Sequence, residues 1–243
     1  MGLQIRDDRQ IKALTGLSQA QFDHLLSVFS DIYWATQQKT YEEGVESGTR
    51  RRRPGGGSKG KLPTMAEKLQ FVLYYYKTYP TFDVLGTQFE MARSKAHENL
   101  HKLSPILYDT LVHLDLMPYR ELSTPEELKA ALQGGDRLLM DATERAYHRS
   151  QDEAKQREHY SGDQIDIPTK KPRKSQKNPD PQLSDEQRAA NTALSRVRIF
   201  IEHAIGGMKR YNILAHTFRN CIENFEDDAI GVCAGLWNLV LSY

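Results

Sequence analysis

One carboxylate set among cations on an otherwise apolar stretch constrains this chain more than any other feature. Residues 198–210 read Arg198-Ile199-Phe200-Ile201-Glu202-His203-Ala204-Ile205-Gly206-Gly207-Met208-Lys209-Arg210. On a helix at about 100° per residue, Arg198, Glu202 and Lys209 fall at roughly 0°, 40° and 20°, a single narrow stripe. Val197, Phe200, Ile201, Ala204, Ile205 and Met208 lie mostly off that stripe and can face a core. A carboxylate held between Arg and Lys stays ionised at neutral pH, because nearby opposite charge favours the charged form. Such a group suits a divalent metal beside nucleic-acid phosphates. The same spacing also describes a surface ion-pair cluster on an amphipathic helix, and spacing alone leaves both readings open.

Further motifs lie upstream. The pattern Arg-x3-Glu-x6-Lys (Arg198, Glu202, Lys209) resembles the carboxy-terminal signature of DDE transposases in the group of the bacterial insertion sequence five. Leu138-Leu139-Met140-Asp141-Ala142-Thr143-Glu144-Arg145 resembles the strand that carries that family's first catalytic Asp, and His159-Tyr160-Ser161-Gly162 resembles the Tyr-Ser-Gly that follows it. Residues 59–82 resemble the start of the family's amino-terminal DNA-binding region. The likeness covers most of residues 14–117, 134–162 and 168–240.

The resemblance implies a Mg²⁺- or Mn²⁺-dependent DNA strand transferase and endonuclease acting at terminal inverted repeats. Asp141 and Glu202 would be its metal-binding acids, with Arg198 and Lys209 beside them. It implies double-stranded DNA as partner, a homo-oligomer or a mixed oligomer with intact transposase, and the nucleoid of a bacterial cytoplasm. The family's second catalytic Asp sits in an Asp-x-Gly-(Phe/Tyr) motif, and no such motif occurs between Asp141 and Glu202, which are only 61 positions apart. Asp163 and Asp166 are the acids near the junction, and neither has that context. After Tyr-Ser-Gly the chain passes to Pro168-Thr169-Lys170-Lys171-Pro172-Arg173-Lys174, which resembles the segment just before the Glu helix. The expectation is an internal deletion near 162–168 and a catalytically defective copy. Two alternatives stay open: an active transposase with a substitute carboxylate, and a transposase-derived transcriptional regulator.

The expected fold is α-rich α+β. A helical domain over 1–117 contains a helix-turn-helix at about 80–103. A linker helix follows over 118–135, opened by Thr124-Pro125-Glu126-Glu127. An incomplete ribonuclease-H-like α/β domain occupies 136–243, with Asp141 on a strand. Pro80-Thr81 opens a short helix bearing Phe82, Leu85, Gly86 and Phe89, a turn falls at Glu90-Met91, and a second helix runs from Ala92 to Leu103. Met91, Ala96, Leu100 and Leu103 would pack inward, while Arg93, Ser94, Lys95, His97, Glu98 and His101 point out. This pattern puts the first residues of a second helix at base edges in the major groove. Glu90 stands where such turns usually carry Gly.

Net charge is +1, from 33 basic and 32 acidic residues, so the chain as a whole is no electrostatic magnet. The charge is concentrated locally. Residues 50–61 carry six cations (Arg50, Arg51, Arg52, Arg53, Lys59 and Lys61) and no anion. Such a run can bind phosphate by releasing counterions, or can be a solvated loop. Two cysteines, Cys221 and Cys233, argue against a disulfide scaffold and fit a reducing cytoplasm. The amino terminus lacks an apolar signal core. The longest apolar run, Ala229 to Leu241, is too short to span a membrane and reads as a docked helix facing inward through Ile230, Cys233, Leu236, Trp237 and Val240. A helix capped by Ser18 should bury Phe22, Leu25, Leu26 and Phe29, and another should bury Leu69, Val72, Leu73 and Tyr76. The Gly/Arg-rich segment 44–61 breaks the helical pattern and is expected as a loop. Ser184-Asp185-Glu186-Gln187 is a capping box that should start a helical region running through Glu202 to about Arg210.

Overall fold

Side-chain oxygens set the starts of the amino-terminal helices. The computed structural model describes residues 5–53, 60–118, 169–172, 182–220, 222 and 224–243. Helix α1 (Asp8–Thr15) begins where the Asp7 carboxylate accepts from the Gln10 N–H at 2.7 Å. Helix α2 (Gln19–Glu46) begins with a reciprocal box between Ser18 and Gln21, and α3 (Met65–Thr78) with one between Thr64 and Glu67. Helix α4 (Phe82–Gln88) is capped by Thr81. Each cap satisfies backbone donors that a helix start leaves without partners. Helices α5 (Arg93–His113), α6 (Asp185–Met208), α7 (Asn212–Ala215) and α8 (Phe225–Leu241) complete the order. All regular structure among the described residues is helical.

The chain divides into two compact units, residues 1–122 with 206–243, and residues 123–205. In the first unit α3 is the central element, packed against α1, α2, α5 and α7. The expected face of α3 is fully buried: Leu69, Val72, Leu73 and Tyr76 are each 0% exposed. Phe71 and Tyr75 are buried as well, so α3 is apolar nearly all round, as a helix enclosed on several sides must be. Helix α2 buries Phe22, Leu25 and Phe29 as expected, with Leu26 half-buried. It also runs further than its Gly and polar composition suggested, through Gly44 to Glu46. The Arg50 backbone N–H donates to the Gly44 carbonyl at 2.8 Å, and the Arg50 side chain packs over Gly44.

The carboxy-terminal stretch belongs to this unit. Tyr211, Ile213, Phe225, Ala229, Val232, Cys233, Leu236 and Leu239 are buried in the same core as α3 and α5. Helix α8 therefore docks as its periodicity predicts, but on a face rotated from the expected one: Ile230 is exposed, and Ala229, Val232 and Leu239 take the inward positions. Polar contacts fix this segment to the end of α3. Lys77 Nζ donates to the Arg210 carbonyl at 2.6 Å, and the Arg219 N–H donates to Tyr79 Oη at 2.7 Å. The Arg219 guanidinium lies 4.3 Å from the centre of the Tyr79 ring and donates to the Tyr79 carbonyl. Asn238 Nδ2 donates to the Leu116 carbonyl at 2.8 Å.

In the second unit the described residues are 169–172 and 182–205. The box expected at Ser184-Asp185-Glu186-Gln187 forms, with the Gln187 N–H donating to Ser184 Oγ at 3.2 Å and the Ser184 N–H to Gln187 Oε1 at 3.1 Å. Thr169 and Asn191 exchange two hydrogen bonds, of 2.8 and 3.0 Å. The expected strand at Asp141, the expected linker helix over 118–135 beyond its first residue, Tyr160-Ser161-Gly162, the expected junction near 162–168 and Lys59 lie outside the described residues. No helix among the described residues is long and apolar enough to cross a membrane.

Candidate nucleic-acid interface

Helices α4 and α5 with the four residues between them make a helix-turn-helix. Phe89 ends α4, its N–H donating to the Leu85 carbonyl at 3.1 Å. Glu90 takes φ +54°, and the Met91 N–H returns to the Gly86 carbonyl at 2.8 Å. A non-glycine residue in the left-handed region costs on the order of 1 kcal/mol, so this turn is held by its surroundings. Gly86 explains the closeness of the crossing. A Cβ built there would meet the Met91 carbonyl oxygen at 2.6 Å. Gly86→Ala is accordingly expected to lower stability by about 1–3 kcal/mol, read as a fall in the urea midpoint, since backbone rather than a movable side chain blocks the methyl.

Ala96, Leu100 and Leu103 are buried beneath α5, and Met91 packs against the same core. Arg93, Ser94, Lys95, His97 and Glu98 are exposed, as their spacing predicts. Arg93 Nε lies 3.9 Å from Asp83 Oδ2, and Lys95 Nζ lies 2.6 Å from Glu98 Oε2. Both pairs are well over half exposed and worth at most about 1 kcal/mol each, so phosphate or a base edge can replace these carboxylates at small cost.

His101 departs from the outward position expected of it. It is half-buried, its ring 5.1 Å from Phe225 and 4.3 Å from His97, with Asn220 Nδ2 at 3.4 Å from its Nε2. Burial first and the neighbouring His97 second hold its pKa below the usual imidazole value. Helix α5 then continues past Pro105 to His113, longer than the sequence reading placed it.

The basic run lies after the end of α2. Arg51, Arg52 and Arg53 are exposed, Lys61 is exposed on the far side of the run, and Arg50 folds back on Gly44. Sequence reasoning missed two lysines close by. Lys68 of α3 and Lys102 of α5 both place Nζ over the Tyr33 ring of α2, at 5.5 and 5.9 Å from its centre. Residues 33, 68 and 102 form no local pattern, so only the packing of three helices brings them together.

Glu202 is exposed on α6, and Arg198 lies on the same helix. Helix α6 ends at Met208, and Lys209 is the first residue of the following turn. The Gly206-Gly207 pair favours this ending, and the Trp237 indole packs where a Cβ on Gly207 would sit, 2.1 Å from its Cε2. Among the described residues no three His, Cys, Asp or Glu side chains gather as a metal group. Glu202 by itself does not make such a site, and Asp141 is not among the described residues.

Comparison with known families agrees with this geometry. Residues 60–112 match the helix-turn-helix of DDE superfamily endonuclease, a span that contains α3, α4 and nearly all of α5. Residues 139–238 match DDE superfamily endonuclease, a span that contains both Asp141 and Glu202. The two matches show a DDE-superfamily endonuclease with its helix-turn-helix domain, the superfamily of transposases. No curated protein and no solved structure matches the chain.

Proposed function

We propose that this chain is a DNA-binding transposase of the insertion-sequence-five group that recognises terminal inverted repeats through α4 and α5, and that an internal deletion has left its ribonuclease-H-like half without cleavage activity. The observation that carries the recognition half is the exposed Arg93-Ser94-Lys95 at the start of α5, beyond a turn built on Gly86 and Glu90. A second helix presented in this way enters the major groove with its first residues at base edges. The deletion reading rests on the missing Asp-x-Gly-(Phe/Tyr) motif. Asp141 and Glu202 would supply carboxylates to Mg²⁺ or Mn²⁺, and Arg198 and Lys209 would keep Glu202 ionised. Arg50 to Arg53, Lys59 and Lys61 would grip the DNA backbone. Homo-oligomers, or mixed oligomers with intact transposase, would follow at paired ends, at the nucleoid.

The recognition half is tested by anisotropy on duplexes carrying the ends that flank the gene. Arg93→Ala combined with Lys95→Ala is expected to weaken binding at least tenfold, each contact contributing about 1–3 kcal/mol, and to narrow the preference for end sequence over scrambled sequence. Unchanged affinity and preference in a folded double variant would remove α5 as the reading helix.

A further inference from the structure

Lys68 and Lys102 bring two ammonium groups to the ring of Tyr33. Their ammonium groups converge on one ring, and no ion pair joins either of them to a carboxylate among the described residues. The nearest acid acting on Lys68 is Glu67, whose carboxylate accepts from the Thr64 N–H and hydroxyl at 3.0 and 2.8 Å in the cap of α3. Partial burial and the charge of Lys102 both push the Lys68 pKa down. An anion bound beside them would offset the repulsion between the two charges.

The position says which anion. Lys102 follows Lys95 by seven residues on α5, about 20° round the helix and roughly 10.5 Å along it. The two lysines thus share one flank of the helix whose first turn carries Arg93 and Ser94. Lys68 Nζ also donates to the Leu62 carbonyl at 2.5 Å, which ties the end of the basic run to the same flank. Lys95, Lys102, Lys68 and Lys61 are thus cations of this flank, with the exposed Glu98 carboxylate between Lys95 and Lys102 at 2.6 Å from Lys95 Nζ. A strand of nucleic acid presents phosphates in a row, whereas a free phosphate would need only one end of this row. Contacts of this kind fix register on the duplex and carry no sequence information.

We infer that Lys68 and Lys102, seated over Tyr33, form a site for a phosphodiester of the DNA backbone alongside α5. The inference rests on the reading of α4 and α5 as a DNA-binding element, and it adds a positioning contact drawn from three helices. The Tyr33 ring contributes its electron-rich face, which steadies both cations when no DNA is present.

The test is the salt dependence of binding by the full chain, measured by anisotropy on the end duplex between about 50 and 300 mM KCl. Each phosphate contact contributes about 0.9 to the slope of log K against log [salt]. Lys68→Gln with Lys102→Gln should make the slope shallower by about 0.9 and Lys102→Gln alone by less, with affinity near 0.15 M down by roughly tenfold in the double variant. Preference for end sequence over scrambled sequence should not change. Lys12→Gln, an exposed lysine on α1, should leave the slope as it was. Lys102 is exposed, so its variant is expected to fold, and Gln at position 68 keeps a donor for the Leu62 carbonyl. A parent slope retained in Lys102→Gln and in the double variant, with melting temperatures unchanged, would overturn the site while leaving DNA binding intact. A parent chain that binds no duplex at all would overturn the DNA-binding reading itself, and this site with it.

Discussion

A chain cut after Met117 is expected to lose its cooperative fold, although it retains the whole helix-turn-helix. The reason lies in which residues close the core. Ile213, Phe225, Val232, Leu236 and Leu239 are each at most 6% exposed, and all come from the carboxy-terminal stretch. Burying such side chains is worth about 1.5–3 kcal/mol apiece, on the order of 10 kcal/mol together. That is comparable with the whole stability of an ordinary domain, about 5–15 kcal/mol. The cut also uncovers Leu111, against whose side chain Gly235 sits, and Tyr76, whose ring faces Phe225 at 6.4 Å. Circular dichroism and thermal melting of residues 1–117 should show weak helicity and no sharp transition. Appending residues 206–243 through a flexible linker should restore both. A fragment 1–117 that melts cooperatively near the temperature of the full chain would show that α7 and α8 are ornaments on an autonomous domain.

The same arithmetic explains what the sequence could and could not convey. The turn between α4 and α5 was legible because Thr81, Gly86 and the apolar spacing of Leu85, Phe89, Ala96 and Leu100 are local signals, all within one short stretch. Ser18 and Ser184 announced their helices for the same reason. The docking of α8 was legible as an apolar periodicity, but its face was not. Ile230 and Ala229 are adjacent, and only the position of α5 decides which of them turns inward. Gly44 looked like a breaker, yet α2 passes through it because the Arg50 side chain closes over the glycine, a contact that a residue-by-residue reading does not contain. His101 counted as outward by helical angle, and Asn220 and Phe225 half cover it. The Lys68–Lys102 pair was invisible for a stronger reason: it exists only once α2, α3 and α5 are packed. For the catalytic half the sequence remains the fuller record. Glu202 lies exposed on a helix, and Lys209 is the first residue after that helix ends.

Incubated with end DNA and Mg²⁺ or Mn²⁺, the full chain is expected to retard the duplex and leave both strands intact, and Asp141→Asn and Glu202→Gln should give the same lanes as the parent. The argument is a count of ligands. Two-metal phosphodiester chemistry needs a pair of divalent ions about 3.5–4 Å apart, and their mutual repulsion must be offset by bridging carboxylates. On the proposed reading Asp141 and Glu202 would supply two, and the motif that would bring the third is missing from the 60 positions between them. Two carboxylates can hold one hydrated ion weakly, but they do not neutralise a second. In a competent site, removing either acid would lower cleavage by orders of magnitude; in this chain no cleavage is expected for the substitution to remove. The opposite outcome is equally sharp. Strand cleavage by the parent that disappears in Glu202→Gln would mean that another carboxylate, with Asp163 and Asp166 the first to substitute, completes the site. The proposed deletion would then have shortened the domain without disarming it. Retardation measured in the same samples separates the two halves, because loss of cleavage with binding intact locates the defect in the carboxylates rather than in α5.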